Sequence, residues 1–175
     1  GRLTAWKGQE VAIRALPAFD DAVLVLLGDA QGREAYVSGL WDLARELGVE
    51  ARLRIPGHSA DMPVAYAASD VVLSCSTDPE AFGRVAAEAQ AMGKWVIASD
   101  HGGARETVIA GETGARVPPA DHAALAAALN AGPSATFSEA KSRAHISDKF
   151  SDNAMKAAVL QLYDTVLGKP REIAV

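Results

Sequence analysis

The sequence predicts an α/β fold, a doubly wound parallel sheet with helices on both faces. Three observations predict it. Short apolar runs alternate with helical patterns along the chain. The run from Ala22 to Leu27 is continuously apolar, the mark of a strand buried on both sides. Glycine, proline or aspartate punctuates the joins, as at Gly28-Asp29, Pro56-Gly57 and Gly93. A length of 175 residues suits one domain, residues 1–175.

In order, Lys7 to Ala18 carries Val11, Ala15 and Ala18 at helical spacing and ends at Pro17. Ala22 to Leu27 is the first strand. Arg33 to Leu47 is a helix with Tyr36, Leu40, Leu43, Ala44 and Leu47 on one face and Gly48 past its end. Ala51 to Ile55 alternates apolar residues with arginine and forms a strand closed by Pro56-Gly57. Asp61 caps a short helix from Met62 to Ala68. Val71 to Cys75 is a strand, Ser76 to Glu80 a loop, Phe82 to Met92 a helix, and Trp95 to Ala98 a strand. His101-Gly102-Gly103 is a turn. Glu106 to Ile109 is helical, Ala115 to Val117 is a last strand, and Asp121 to Asn130 is a capped helix. Helices follow from Ser134, ending with Asn153 to Leu167, and the last few residues have no clear pattern.

Composition excludes several functions. The apolar share is 49%, and no apolar run approaches the length of a membrane span. The net charge of −5 and the 6% aromatic content argue against nucleic acid as a partner. The single Cys75 excludes an intrachain disulfide and a cysteine zinc cluster, and fits a reducing compartment. The four histidines are scattered, and no pair has metal-ligand spacing. There is no Asp-x-Asp, no Gly-x-Gly-x-x-Gly and no Walker loop.

Sites on parallel sheets lie beyond the carboxyl ends of the strands. The richest such stretch runs from Asp78 to Ala89. A loop feeds a helix near Gly83, whose free N–H groups and dipole favour an anion. Glu80 lies in the loop, and Glu88 lies on the flank of the helix's buried face. Two carboxylates there suit the hydroxyl pairs of a sugar or ribose. Each also has a plainer role, Glu80 as a first-turn acid and Glu88 as an i, i+4 partner of Arg84. Arg2 and Lys7 could neutralise a diphosphate together, or form a solvated charge pair. Gly102-Gly103 is a turn by default, and Cys75 is a buried thiol by default.

The stretch Glu80-Ala-Phe-Gly-Arg-Val-Ala-Ala-Glu88 resembles the E-x7-E signature of the retaining GT-B glycosyltransferases of family four, or group 1. Gly1-Arg2 with Lys7-Gly8, Gly28-Asp29, Pro56-Gly57-His58, Gly102 to Glu106 and Gly111 to Gly114 continue the resemblance in order over nearly the whole chain. It implies a Rossmann-like domain, the C-terminal half of a GT-B fold, with the acceptor-binding domain preceding Gly1. It also implies that the helix at 151–167 crosses to that other domain.

The resemblance assigns roles residue by residue. Arg2 and Lys7 bind the donor diphosphate and, with Glu80 on the sugar hydroxyls, form the catalytic group. Phe82 and Gly83 offer amides to the donor, Val85 packs near the nucleoside, Glu88 accepts from the ribose, and Ile55 lies in a segment near the base. The partner is a nucleotide sugar, with no metal and no cofactor. The expected function is retaining transfer to a glycan, lipid or small molecule, with this half inactive alone. The expected location is the cytoplasm, with any membrane contact at its inner face made through the other domain. A nucleotide-binding regulatory module and one half of a sugar-nucleotide epimerase are the alternatives.

Overall fold

The computed structural model describes residues 1–168. The expected patternless end falls at 169–175, outside the described residues. Among the described residues five strands form, β1 (Leu24–Leu27), β2 (Leu53–Gly57), β3 (Val71–Ser74), β4 (Trp95–Ser99) and β5 (Gly114–Val117). Every pairing is parallel. Eight α-helices accompany them: α1 (Gln9–Ala15), α2 (Glu34–Glu46), α3 (Met62–Ala67), α4 (Arg84–Ala91), α5 (Ala104–Thr107), α6 (His122–Ala131), α7 (Glu139–Phe150) and α8 (Asp152–Val166).

The alternation of β4 shows why helices cover both faces. Val96 and Ala98 point to a core shared with Tyr66 of α3 and Ala86 and Ala89 of α4. Trp95 and Ile97 point the other way, toward Ala12 and Ala15 of α1 and Leu125 of α6. All five residues of β4 are buried. A third core cluster joins Leu26 and Leu53 to Ile13, Leu16, Leu40 and Leu43. Asp121 caps α6 by accepting from the Ala124 amide, and Asp61 caps α3 through Val64, as their positions predict. No described helix is long and apolar enough to cross a membrane.

The expected α/β fold with parallel strands and helices on both faces is present, its strands in two ladders, β1–β2 and β3–β4–β5. Several finer expectations change. The apolar run before Gly28 is not buried throughout, because Val23 and Val25 are 57% and 54% exposed. No described strand pairs with that edge of β1. The first helical pattern is interrupted. A 3-10 turn at Ala5–Lys7 ends at Gly8, in the left-handed conformation (φ 68°), before α1 begins. A Cβ at Gly8 would collide with the Cys75 carbonyl oxygen, so this glycine is needed for both its backbone and its lack of bulk. The second strand runs through Pro56-Gly57 instead of stopping before them. The missing proline N–H is tolerated at the end of this outer strand.

Candidate functional site

The carboxyl ends of the strands bring together three segments far apart in sequence. The 3-10 turn at Ala5–Lys7 is tied to the loop after β3, where the Thr77 amide donates to the Trp6 carbonyl at 2.7 Å. That contact sets Lys7 against Glu80. The ammonium of Lys7 lies 2.8 Å from Glu80 Oε2, and both side chains are 16% exposed. The ammonium also sits 4.4 Å from the centre of the Trp6 ring.

The other Glu80 oxygen accepts from the Ser76 hydroxyl. The Ser76 carbonyl in turn accepts from His101 Nε2 at 2.8 Å. A carbonyl can only accept, so that ring nitrogen carries the proton. Burial pushes the Glu80 carboxyl up, but the bonds from Lys7 and Ser76 and the charges of Lys7 and His101 outweigh it. Its pKa is therefore held below the ordinary value.

The Gly102-Gly103 turn supports this loop from beneath. The Gly103 amide donates to the Glu80 carbonyl at 2.8 Å. A Cβ at Gly102 would collide with the Glu80 carbonyl oxygen, and one at Gly103 with that of Phe82. These glycines therefore let two backbones touch. Phe82 is 40% exposed and packs edge-to-face on Phe150, with ring centres 5.6 Å apart. Gly83, at φ 81° and ψ 59°, is the N-cap of α4 with no side-chain cap, so the first amides of the helix face the loop unoccupied by a capping group.

Glu88 is one turn farther along α4, and its side chain is 36% exposed. Its Oε2 accepts from the Tyr66 hydroxyl at 2.9 Å. Its Oε1 accepts from Arg84 Nε at 3.0 Å and Nη2 at 2.8 Å. Burial, and then the bond to Glu88, push the Tyr66 hydroxyl well above the usual range. The i, i+4 pairing with Arg84 is therefore present. It coexists with a second, buried partner that sequence spacing did not point to.

The remaining expected residues are placed as follows. Arg2 is exposed, and its carbonyl accepts from Gln9 Nε2 at 2.9 Å. Gln9 is held in turn by the Tyr36 hydroxyl at 3.0 Å. Val85 is half-buried against the α4 core, with Gly1 beside it. Ile55 lies within β2, packed against the Leu26–Leu53 core cluster. The structure thus brings Lys7, Glu80, Gly83 and Val85 to one mouth with Glu88 beside them, and places Ile55 on a separate strand. Cys75 is buried, which pushes its thiol up to about 12 and leaves it inert at neutral pH. Among the described residues no three His, Cys, Asp or Glu gather as metal ligands.

Sequence reasoning missed Ser76, His101 and Tyr66. Ser76 lay two residues ahead of the stretch that starts at Asp78, and His101 beside the Gly102-Gly103 turn. Tyr66 gave no signal, because its role depends on how α3 packs against α4.

The chain as a whole is similar to known proteins. The family model described as glycosyl transferases group 1 matches residues 1–147. The chain is 40% identical over 134 residues to the D-inositol 3-phosphate glycosyltransferase of Xylanimonas cellulosilytica, covering 75% of this chain and 32% of that protein. It is 35% identical over 142 residues to the GDP-mannose-dependent alpha-(1-6)-phosphatidylinositol monomannoside mannosyltransferase of Mycolicibacterium smegmatis, covering 73% and 36%. The chain thus spans about a third of the length of these relatives. The crystal structure of Anabaena HepE in complex with UDP superposes with a TM-score of 0.87 at 34% identity, covering 94% of this chain and 47% of that one. The C-terminal domain of LpcC, a glycosyl transferase group 1 family protein from Francisella tularensis, shares the fold. Its TM-score is 0.75 at 24% identity, covering 87% and 84%.

Proposed function

This chain belongs to the group 1 glycosyl transferases and has the fold of a GT-B C-terminal Rossmann-like domain, and on that footing we propose that it is the donor-binding half of a retaining glycosyltransferase. It takes a nucleoside diphosphate sugar at the mouth formed by Lys7, Glu80 and the start of α4. The observation that carries this reading is the Lys7–Glu80 pair, held beside the uncapped N-terminus of α4 with Glu88 one turn farther on. The UDP complex of HepE and the GDP-mannose dependence of the mycobacterial relative support a nucleotide-sugar donor of this class.

We assign the roles that the resemblance implies, with the contacts of Lys7, Glu80 and Glu88 in support. An ammonium has three donors. Lys7 therefore keeps its bond to Glu80 while offering the others to a diphosphate, with Arg2 as the second cation. Fixed positive charge at a departing diphosphate stabilises the transition state without a metal. Glu80, oriented by Lys7 and Ser76, accepts from sugar hydroxyls. The amides at Phe82 and Gly83 receive donor oxygens, with the helix dipole adding to the attraction. Val85 packs beside the nucleoside. Glu88 accepts from the ribose after Arg84 swings into solvent, which costs little because Arg84 is 83% exposed. Ile55 lies in the segment assigned to the base.

Transfer to an acceptor requires a second wall to the cleft, so this chain alone binds the donor without transferring sugar. We assign it to the cytoplasm, with any membrane contact made by the acceptor-binding domain. Calorimetric titration with UDP, GDP and ADP in the presence of EDTA tests the reading. Binding of one nucleotide, weakened by Glu88→Ala with the fold intact, is the expected result. Equal affinity in wild type and variant would remove Glu88 from the site. Binding that disappears in EDTA would overturn metal independence.

A further inference from the structure

Helix α7 runs back along α4 and grips it at both ends. At the carboxyl end, Arg143 Nη2 donates to the Met92 carbonyl at 2.9 Å. Gly93 makes room for that guanidinium, since a Cβ there would collide with it. Ser142 and Ile146 are buried along α7. At the amino end of α4 stands Phe150, the last residue of α7, whose ring meets Phe82 edge-to-face with centres 5.6 Å apart. We infer that Phe150, backed by His145, is a positioning residue for the donor loop: α7 sets the path of Phe82-Gly83 and so the aim of the first amides of α4. This deepens the donor-binding reading and rests on it for the identity of the ligand.

The contacts close a circuit. Phe150 in turn stands edge-to-face on His145, with ring centres 5.5 Å apart and planes at 77°. His145 Nε2 lies 3.2 Å from the Thr107 carbonyl, which only accepts, so that nitrogen donates. The Thr107 hydroxyl and amide donate to the Gly103 carbonyl at 3.0 and 2.9 Å. The Gly103 amide donates to the Glu80 carbonyl, which returns the circuit to the loop. The loop is thus held by α5 from beneath and by α7 from the side, and His145 ties those two supports together.

Local chemistry makes the outer support necessary. Gly83 lies at positive φ and brings no side chain of its own to pack. No side chain caps α4. Phe82 is the side chain that joins the loop to a second element just before that glycine. Contact of one ring edge with another ring's face fixes an angle as well as a distance. An aliphatic side chain in place of Phe150 would fill space without setting that angle.

Two amides report the loop: Gly103, bonded to the Glu80 carbonyl, and Ala87, bonded to the Gly83 carbonyl at 3.2 Å. The amides of β4 report the whole fold. Hydrogen exchange is compared in the 175-residue chain and in Phe150→Leu, Phe150→Tyr and Ile146→Val. The expected result is that Phe150→Leu speeds Gly103 and Ala87 about five-fold relative to β4, and that Phe150→Tyr restores the wild-type ratio. Ile146→Val, which trims a core position on the same helix, should speed both sets together. Phe150→Leu doing the same would overturn the inference and leave Phe150 a packing residue. Should Phe150→Leu fail to fold, Phe82→Leu carries the test from the more exposed ring, and unchanged loop exchange there overturns it. In titration with UDP, GDP and ADP, the nucleotide that the wild type binds best should bind Phe150→Leu about five-fold more weakly and Phe150→Tyr as before. Equal affinity in wild type and Phe150→Leu would overturn the positioning role. If the wild type binds none of the three, the donor-binding reading falls, and loop exchange alone decides whether α7 holds the loop.

Discussion

Glu80 and Glu88 belong to one loop and the helix that follows it, yet their surroundings differ. Glu80 is shielded, clamped by Lys7 from the start of the chain and by Ser76 from its own loop. Glu88 is more open, with one buried partner in Tyr66 and one solvent-facing partner in Arg84. The difference separates two ways of readying a carboxylate. One is built into the tertiary structure and holds a fixed orientation. The other keeps an oxygen behind a partner that solvent can release. Under the proposed function, the first suits a group beside the reacting sugar, and the second a group that must open to admit a ribose.

Breaking the shielded pair should have the largest effect. Lys7→Met leaves a mostly buried carboxylate with only Ser76, and we expect a loss of about 3 kcal/mol in urea denaturation. The pair also carries a pH signature. Because its folded pKa is lowered, Glu80 contributes its full stability above the ordinary carboxylate value. That contribution fades as pH falls through the lowered folded value. The stability gap between wild type and Glu80→Gln should therefore be constant near neutrality and close in acid. A gap that stayed constant down to pH 3 would show the pair to be without this linkage.

Next comes the support beneath Glu80. Gly103→Ala drives a methyl into the Phe82 carbonyl, and we expect about 2 kcal/mol of destabilisation from overpacking. Nucleotide titration should show a larger loss than for a surface alanine elsewhere. At the open carboxylate the effects are smaller. Tyr66→Phe removes one hydrogen bond to Glu88 and keeps the ring in its core, so nucleotide affinity should fall about five-fold, or about 1 kcal/mol. Unchanged affinity would make Tyr66 a packing residue only. Arg84→Ala should be smallest, within about 0.5 kcal/mol of wild type in stability. A large loss of binding in that variant would instead make Arg84 a direct ligand contact.

Much of the fold was legible because local rules sufficed. The alternation of runs predicted parallel strands between helices. Asp61 and Asp121 announced the helix starts they cap. Gly48 and Gly93 lie just past α2 and α4 with positive φ. The limits show in two strands that look alike as sequence. Leu24–Leu27 and Trp95–Ser99 are both apolar runs, yet β4 is buried throughout while Val25 of β1 stands half open. Burial belongs to the neighbours a strand acquires, and β4 has a strand on each side whereas β1 has one. The helix expected from Lys7 starts only at Gln9, for a different reason. Gly8 must pass against the Cys75 carbonyl, a contact with no local trace in periodicity.

At the site, the sequence by itself determined the residue types and their order: a lysine near the start, two carboxylates flanking a glycine-led helix, and a paired glycine downstream. Those features are local, set by helix periodicity and by the need of a close-packed turn for glycine. Only the tertiary structure decided which groups meet. It paired Lys7 with Glu80, put Ser76 and Tyr66 behind the two acids, turned Gly102-Gly103 into the floor of a loop, and left Ile55 on a separate strand. These contacts join segments that converge only where parallel strands end together. A hydrogen bond depends on that convergence to within a fraction of an ångström, which no spacing along the chain encodes.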